Sequence, residues 1–184
     1  MMFFRRRIEG KTAKEWFHLG LSLHRSGKYE EALECFNKAL EINPKFVSVW
    51  SVKGLSLGEL KRFDDALECY DEALEINSKS VSAWSGKATI LFRLGRNEEA
   101  LKCIDMALEI DPNEAALWNF RGVILMELGR LGDAGSSFNK ALEIDPDSKR
   151  AKEGLKDIEE RFKMLEEVIK GLEEKEKKKK KGET

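Results

Sequence analysis

The chain has 184 residues, 36% of them charged and 41% apolar, and its 33 Lys and Arg against 34 Asp and Glu leave a formal net charge of -1. That length suits one domain with its own core, the composition excludes a disordered chain, and the balanced charge excludes a body that is itself a polyanion-binding surface. No run approaches the roughly eighteen consecutive apolar residues of a bilayer span, so no membrane association is expected.

Residues 1–12 read as an N-terminal extension. Met1, Met2, Phe3 and Phe4 precede Arg5, Arg6 and Arg7, the reverse of the order in a secretory leader, so export is not expected. From residue 13 the sequence is periodic. Trp16, Trp50, Trp84 and Trp118 stand 34 apart, Cys35, Cys69 and Cys103 keep the same interval, and Pro44, Pro112 and Pro146 are separated by multiples of it. The repeats are 13–46, 47–80, 81–114 and 115–148, with small columns at Ala32, Ala66, Ala100, Ala134 and at Ala39, Ala73, Ala107, Ala141. Between them runs a large apolar column, Phe36, Tyr70, Ile104 and Phe138.

Each repeat predicts a helix A (13–25 in the first), a turn near Gly27, Gly95 or Gly129, and a helix B (29–42) ended by Asn-Pro or Asp-Pro. Acidic pairs Glu30-Glu31, Asp64-Asp65 and Glu98-Glu99 open the B helices, where the helix dipole favours them. The boundary after the second repeat is the weakest, because Ser78 stands where Pro would stop a helix.

After Pro146 the period ends. Ala151, Leu155, Ile158, Phe162, Leu165, Ile169 and Leu172 advance in steps of four and three, which predicts one amphipathic capping helix over 149–174. Such a helix runs about 40 Å against about 20 Å for a repeat helix, so its far half overshoots the body. Phe162, Leu165, Ile169 and Leu172 are therefore candidates for self-association, with fraying or folding back as the alternative. Residues 175–184 carry the Lys-rich tail and are expected to be disordered.

The first repeat, with Trp16, Leu19, Gly20, Tyr29, Ala32, Phe36, Ala39 and Pro44, resembles the tetratricopeptide repeat (TPR). Later repeats depart from it: Lys53, Lys87 and Arg121 replace the Leu, Ala88 the Gly and Ser78 the Pro. The resemblance implies an all-α, right-handed α-α superhelix of four helix-turn-helix repeats whose A helices build a concave groove for a peptide. Carried over by position, the groove holds Phe17, Leu21, His24, Ser51, Val52, Leu55, Ser85, Thr89, Phe92, Asn119, Phe120, Val123 and Met126.

Family members that clamp a partner's terminal carboxylate use Lys, Asn and Arg at set A-helix positions. Here those positions hold Phe17, Leu21, Val52, Ser82 and Gly86, or one repeat on Ser51, Leu55, Gly86, Ala116 and Phe120, none able to do so. An apolar or amphipathic segment is the expected ligand, with Ser51, Ser85, Thr89 and Asn119 bonding its polar edge.

No catalytic constellation appears. The periodic cysteines should lie about 10 Å apart, too far to share a metal. His18 and His24 have no partner implied by spacing, and no glycine-rich phosphate loop is present. The expectation is a non-enzymatic cytoplasmic scaffold without metal or cofactor, with a protein or peptide partner and a possible homo-oligomer. Nucleic acid is a remoter partner, as an RNA-associated repeat protein using the basic tail.

Overall fold

The computed structural model describes residues 10–180 and residue 182. Among them lie α1 (Ala13–Arg25), α2 (Tyr29–Ile42), α3 (Val47–Glu59), α4 (Phe63–Ile76), α5 (Val81–Arg93), α6 (Asn97–Ile110), α7 (Ala115–Glu127), α8 (Leu131–Ile144) and α9 (Lys149–Lys180), with no strand. The fold is all-α, and consecutive helices pack as A–B pairs at the predicted spacing. The chain divides into two compact units, one ending at Asn113 and the other beginning at Glu114. The first holds the A helices α1, α3, α5 and the B helices α2, α4, α6. The second holds the fourth pair and α9.

The helices begin and end for local reasons. Thr12 caps α1 in a capping box, its hydroxyl accepting from the Glu15 amide while the Glu15 carboxylate accepts from the Thr12 amide. The B helices have no side-chain cap; instead Lys28, Arg62, Arg96 and Arg130 at the cap positions pair with Glu31, Asp65, Glu99 and Asp133 three residues on. These pairs are exposed and contribute little singly. Between A and B helices the chain takes a left-handed residue, with φ 75° at Gly27, 72° at Gly95 and 72° at Gly129. The second repeat makes the same turn with Lys61, at φ 59°.

The boundary at Ser78 is as sharp as the others. α4 stops at Ile76 because Asn77 turns extended (φ -143°, ψ 94°), as Asn43 does after α2 (φ -136°, ψ 90°). The Asn77 carboxamide accepts from the Lys79 amide, and the Trp84 indole donates to the Ser78 carbonyl at 2.9 Å, as Trp50 does to Pro44 at 2.8 Å. The stop is written in the Asn and the Trp, and Pro is dispensable.

The core is a repeated contact between a ring and a bare backbone. The Phe36 ring of α2 covers Gly20 of α1, Tyr70 of α4 covers both Gly54 of α3 and Gly86 of α5, and Phe138 of α8 covers Gly122 of α7 and Gly154 of α9. A Cβ on Gly86 would stand 2.4 Å from the Tyr70 ring. Both alanine columns are fully buried beside these rings, so helices approach where side chains are smallest.

α9 runs past residue 174, to Lys180. No Gly or Pro lies between Leu172 and Lys181, Lys and Glu are good helix formers, and Glu173 precedes Lys177 by four. Residues 175–180 of the tail expected to be disordered are thus helical; its other positions, apart from Gly182, and the N-terminal segment 1–9 lie outside the described residues.

Gly86→Ala should destabilise the protein in chemical denaturation, because about 1–3 kcal/mol of overpacking exceeds the roughly 1 kcal/mol of helix propensity gained. Gly135→Ala, whose new methyl would meet Leu155 and Ile158 at 3.9 and 4.0 Å, should instead stabilise it by up to about 1 kcal/mol. Lys61→Gly removes a left-handed side chain and should stabilise it by about 1 kcal/mol, read as a higher denaturation midpoint with an unchanged slope.

Candidate functional site

In the first unit the A helices are tied together near their C-terminal ends. His24 Nδ1 lies 2.8 Å from Ser56 Oγ of α3, and Ser56 Oγ donates to the Val52 carbonyl at 3.0 Å. The hydroxyl has one proton and it is committed to Val52, so His24 carries the proton on Nδ1 and donates. From the other side Arg93 of α5 donates to the Gly58 carbonyl at 2.9 Å and pairs with Glu59 at 3.6 Å. A Cβ on Gly58 would stand 2.6 Å from Ile90 Cδ1, so α3 and α5 pass closely there.

These ties fix which A-helix side chains face outward. Leu55, in the middle of α3, is 42% exposed; Leu21 at the equivalent place on α1 is half-buried, and Thr89 on α5 is exposed. His24, Ser85 and Phe92 are partly buried beside them. The hydroxyls are internally engaged: Ser51 donates to Val47, Ser85 to Ser82 and Thr89 to Ser85, leaving their oxygens only as acceptors.

Other predicted groove residues turn inward. Phe17 lies with its ring centroid 6.3 Å from Phe36 and 5.2 Å from Phe46, Val52 packs on the same core, and Ser51 is buried. In the second unit Asn119 is buried and donates to Ser148 Oγ at 2.9 Å, while Ser148 Oγ accepts from the Ala151 amide at 3.4 Å. Asn119 thus fastens the start of α9. Phe120 is partly buried on α7, and Val123 and Met126 border a cavity of about 260 Å³ closed by Arg150, Glu153, Asp157 and Arg161 of α9.

The first unit also holds a cavity of about 560 Å³ among α2, α3 and α4, floored by Leu33, Trp50 and Leu57, which periodicity gave no reason to single out. Its rim includes Asp65 and Asp71, which are already paired with Arg62 and Lys87.

Of the basic residues that depart from the repeat signature, Lys87 pairs with Asp71 and the other two lie over tryptophans. Lys53 lies over Trp50 with its ammonium 5.0 Å from the ring centroid, and Arg121 over Trp118 at 5.9 Å. Burial pushes the Cys69 thiol up to about 11 and raises Cys35 and Cys103, so all three are protonated packing groups. Among the described residues no three His, Cys, Asp or Glu side chains converge to hold a metal, and no helix is long and apolar enough to cross a membrane.

Residues 13–46, 59–124 and 115–148, together more than half of the chain, each match the tetratricopeptide repeat. The chain belongs to the tetratricopeptide repeat family. Among solved structures, the MamA protein is similar at 20% identity and a TM-score of 0.72, over 94% of this chain and 96% of that one. YrrB, a TPR protein with an unusual peptide-binding site, is similar at 21% and 0.66, over 80% and 76%. The first TPR of Spaghetti (RPAP3), bound to the HSP90 peptide SRMEEVD, is similar at 21% and 0.61, over 63% and 92%. At these identities the likeness is one of fold. A comparison with curated proteins finds no match.

Burial, with Arg25 adding to it and Glu59 opposing, lowers the His24 pKa below its ordinary 6.5. The unfolded chain takes up this proton first, so the contribution to stability is present above about pH 6.5 and is lost as pH falls through the lower folded value. Thermal melts at about pH 7.5 and 5 should show a smaller acid loss for His24→Gln than for the unaltered protein. Equal losses would remove His24 from the account.

Proposed function

We propose that this protein is a non-catalytic protein-interaction module whose α1–α3–α5 face takes an apolar or amphipathic peptide segment. The observation that carries it is Leu55, an apolar side chain 42% exposed at the centre of a face whose helices are locked on both sides. Leu21, Thr89 and Phe92 extend that face, and His24 and the Arg93–Glu59 pair give it a polar edge. Because the serine and threonine hydrogens are spent on their own helices, recognition rests on burial of the ligand's side chains, with oxygen lone pairs left for its amides. Family membership supports the reading, as do the peptide sites named for YrrB and the first TPR of Spaghetti.

The second surface of the same function is α9. Phe162, Leu165, Ile169 and Leu172 are exposed along one stripe, which supports their reading as a self-association face.

Panning a displayed peptide library on the immobilised protein should recover sequences with two or more large apolar residues at helical or alternate spacing. A recovered peptide should bind Leu55→Ser at least about tenfold more weakly, the equivalent of losing most of one buried leucine. Undiminished binding to a Leu55→Ser protein that melts normally would move the site elsewhere.

A further inference from the structure

Trp16 and Trp50 hold equivalent places in the first two repeats, but their cations differ. Over Trp16 stand two ammonium groups, Lys11 at 4.8 Å and Lys38 of α2 at 4.4 Å from the ring centroid. Over Trp50 stands Lys53 of its own helix, at 5.0 Å. The residue of α4 that corresponds to Lys38 is Glu72, an exposed carboxylate. The third and fourth repeats have Met106 and Lys140 there, so the reversal of charge belongs to the second repeat alone.

Glu72 and Trp50 border the same cavity, the one of about 560 Å³ among α2, α3 and α4 with Leu33 and Leu57 in its floor. On its rim Asp65 and Asp71 are held by Arg62 and Lys87, whereas Glu68, Glu72 and Glu75 form no ion pair among the described residues. Those three stand at i, i+4 and i+7, one row about 10 Å long on α4. An apolar floor with an indole, bordered by a row of carboxylates, fits one kind of side chain: an aliphatic stem that ends in a cation.

We propose that this cavity receives the lysine run of a second copy, residues 177–181. One lysine of the run takes over Trp50 the place that Lys38 takes over Trp16, and its ammonium meets Glu72.

Charge selects the occupant. Residues 175–184 hold six Lys against two Glu, so the rest of a chain whose net charge is -1 is acidic. A basic arm and an acidic body on one chain attract their counterparts on the next. Because residues 177–181 are all Lys, whichever side of the run meets the row offers it an ammonium. α9 is one unbroken helix from Lys149 to Lys180, without a turn that would send the run back toward the start of its own chain. Arm and cavity are unlike surfaces, so the contact is heterologous. It is separate from the peptide face around Leu55 and from the apolar stripe of α9, and salt tells it from the latter. Ion pairs at a surface weaken as the Debye length falls, from about 14 Å at 0.05 M to about 4 Å at 0.5 M salt, and apolar burial does not.

The test follows the mass of the full chain by sedimentation equilibrium, at about 100 µM protein in about 0.05 and 0.5 M NaCl. Glu72→Lys gives α4 the residue type of α2 and covers Trp50 from its own chain, so it should melt normally. A second full-length variant has each Lys of 177–181 changed to Gln. The unaltered protein should associate, with an association constant that falls about tenfold or more in the higher salt. In low salt the constant should fall about tenfold or more in each variant. Glu109→Lys, the same change of charge on α6, should hold it within about threefold. Mixing the two variants should restore association, since one keeps its arm and the other its cavity. Association undiminished in Glu72→Lys, or not weakened by salt, would overturn the proposal and place the contact on another surface. A one-chain mass of the unaltered protein in low salt, or a mixture no more associated than its parts, would overturn it equally.

Discussion

The fold hangs on one contact, the face of a B-helix ring laid on a glycine of an A helix. Phe36 on Gly20 and Tyr70 on Gly54 close the pair within a repeat, and Tyr70 on Gly86 closes the next repeat onto it with the same ring. Phe138 does the same between Gly122 and Gly154. At Tyr70 and Phe138 pairing and stacking are thus one interaction, and the second repeat cannot be loosened from the third without unseating its own helices. The third repeat shows the rule by its exception. There the glycine position is Ala88, and the ring position is the slimmer Ile104. A methyl added on one side is matched by a ring removed on the other, which is what a fixed volume requires.

Once the helices are drawn that close, the polar groups at each boundary have little choice. Trp50 and Trp84 lie beside the end of the preceding B helix, and their indoles find the carbonyls of Pro44 and Ser78. Lys53 lies over the Trp50 ring and Arg121 over that of Trp118, so two residues that look like departures from the signature complete a tryptophan's environment. Proline adds rigidity to a stop already encoded by an extended Asn or Asp.

Helix ends and register were legible because the 34-residue interval repeats Trp, Cys and Ala columns, and the Cys and Ala columns are buried throughout. The outward face of the A helices was harder to read. α3, for example, is enclosed by its own α4, by α1 and α2 before it and by α5 after it, so apolar residues occur nearly all round it and periodicity does not mark the open side. Phe17 and Leu21 look equivalent in sequence, yet Phe17 goes to Phe36 and Phe46 while Leu21 stays near the surface. Asn119 looked like a polar groove residue because its partner, Ser148, lies in the turn before α9 and outside the periodic columns. The length of α9 was underestimated because lysine-rich sequence suggests disorder, whereas Lys and Glu in alternation without Gly or Pro also propagate a helix.

α9 begins as a fifth A helix and then abandons the pattern. Gly154 holds the place of Gly86 four and two repeats from the same origin and receives Phe138 as Gly86 receives Tyr70. On the side that would take a B helix of its own the sequence changes: Lys152 stands in the tryptophan column and Lys156 in the glycine column, both exposed. That side is finished for water, so α9 closes the array and needs no further repeat. Where the A helices turn at Gly27, Lys61, Gly95 and Gly129, the matching Lys163 stays helical, and the apolar stretch from Phe162 to Leu172 runs through the positions at which a fifth repeat would have turned and begun its B helix. Burial against α8 is complete by Ile158, and the apolar character of the helix persists, exposed, for four more turns.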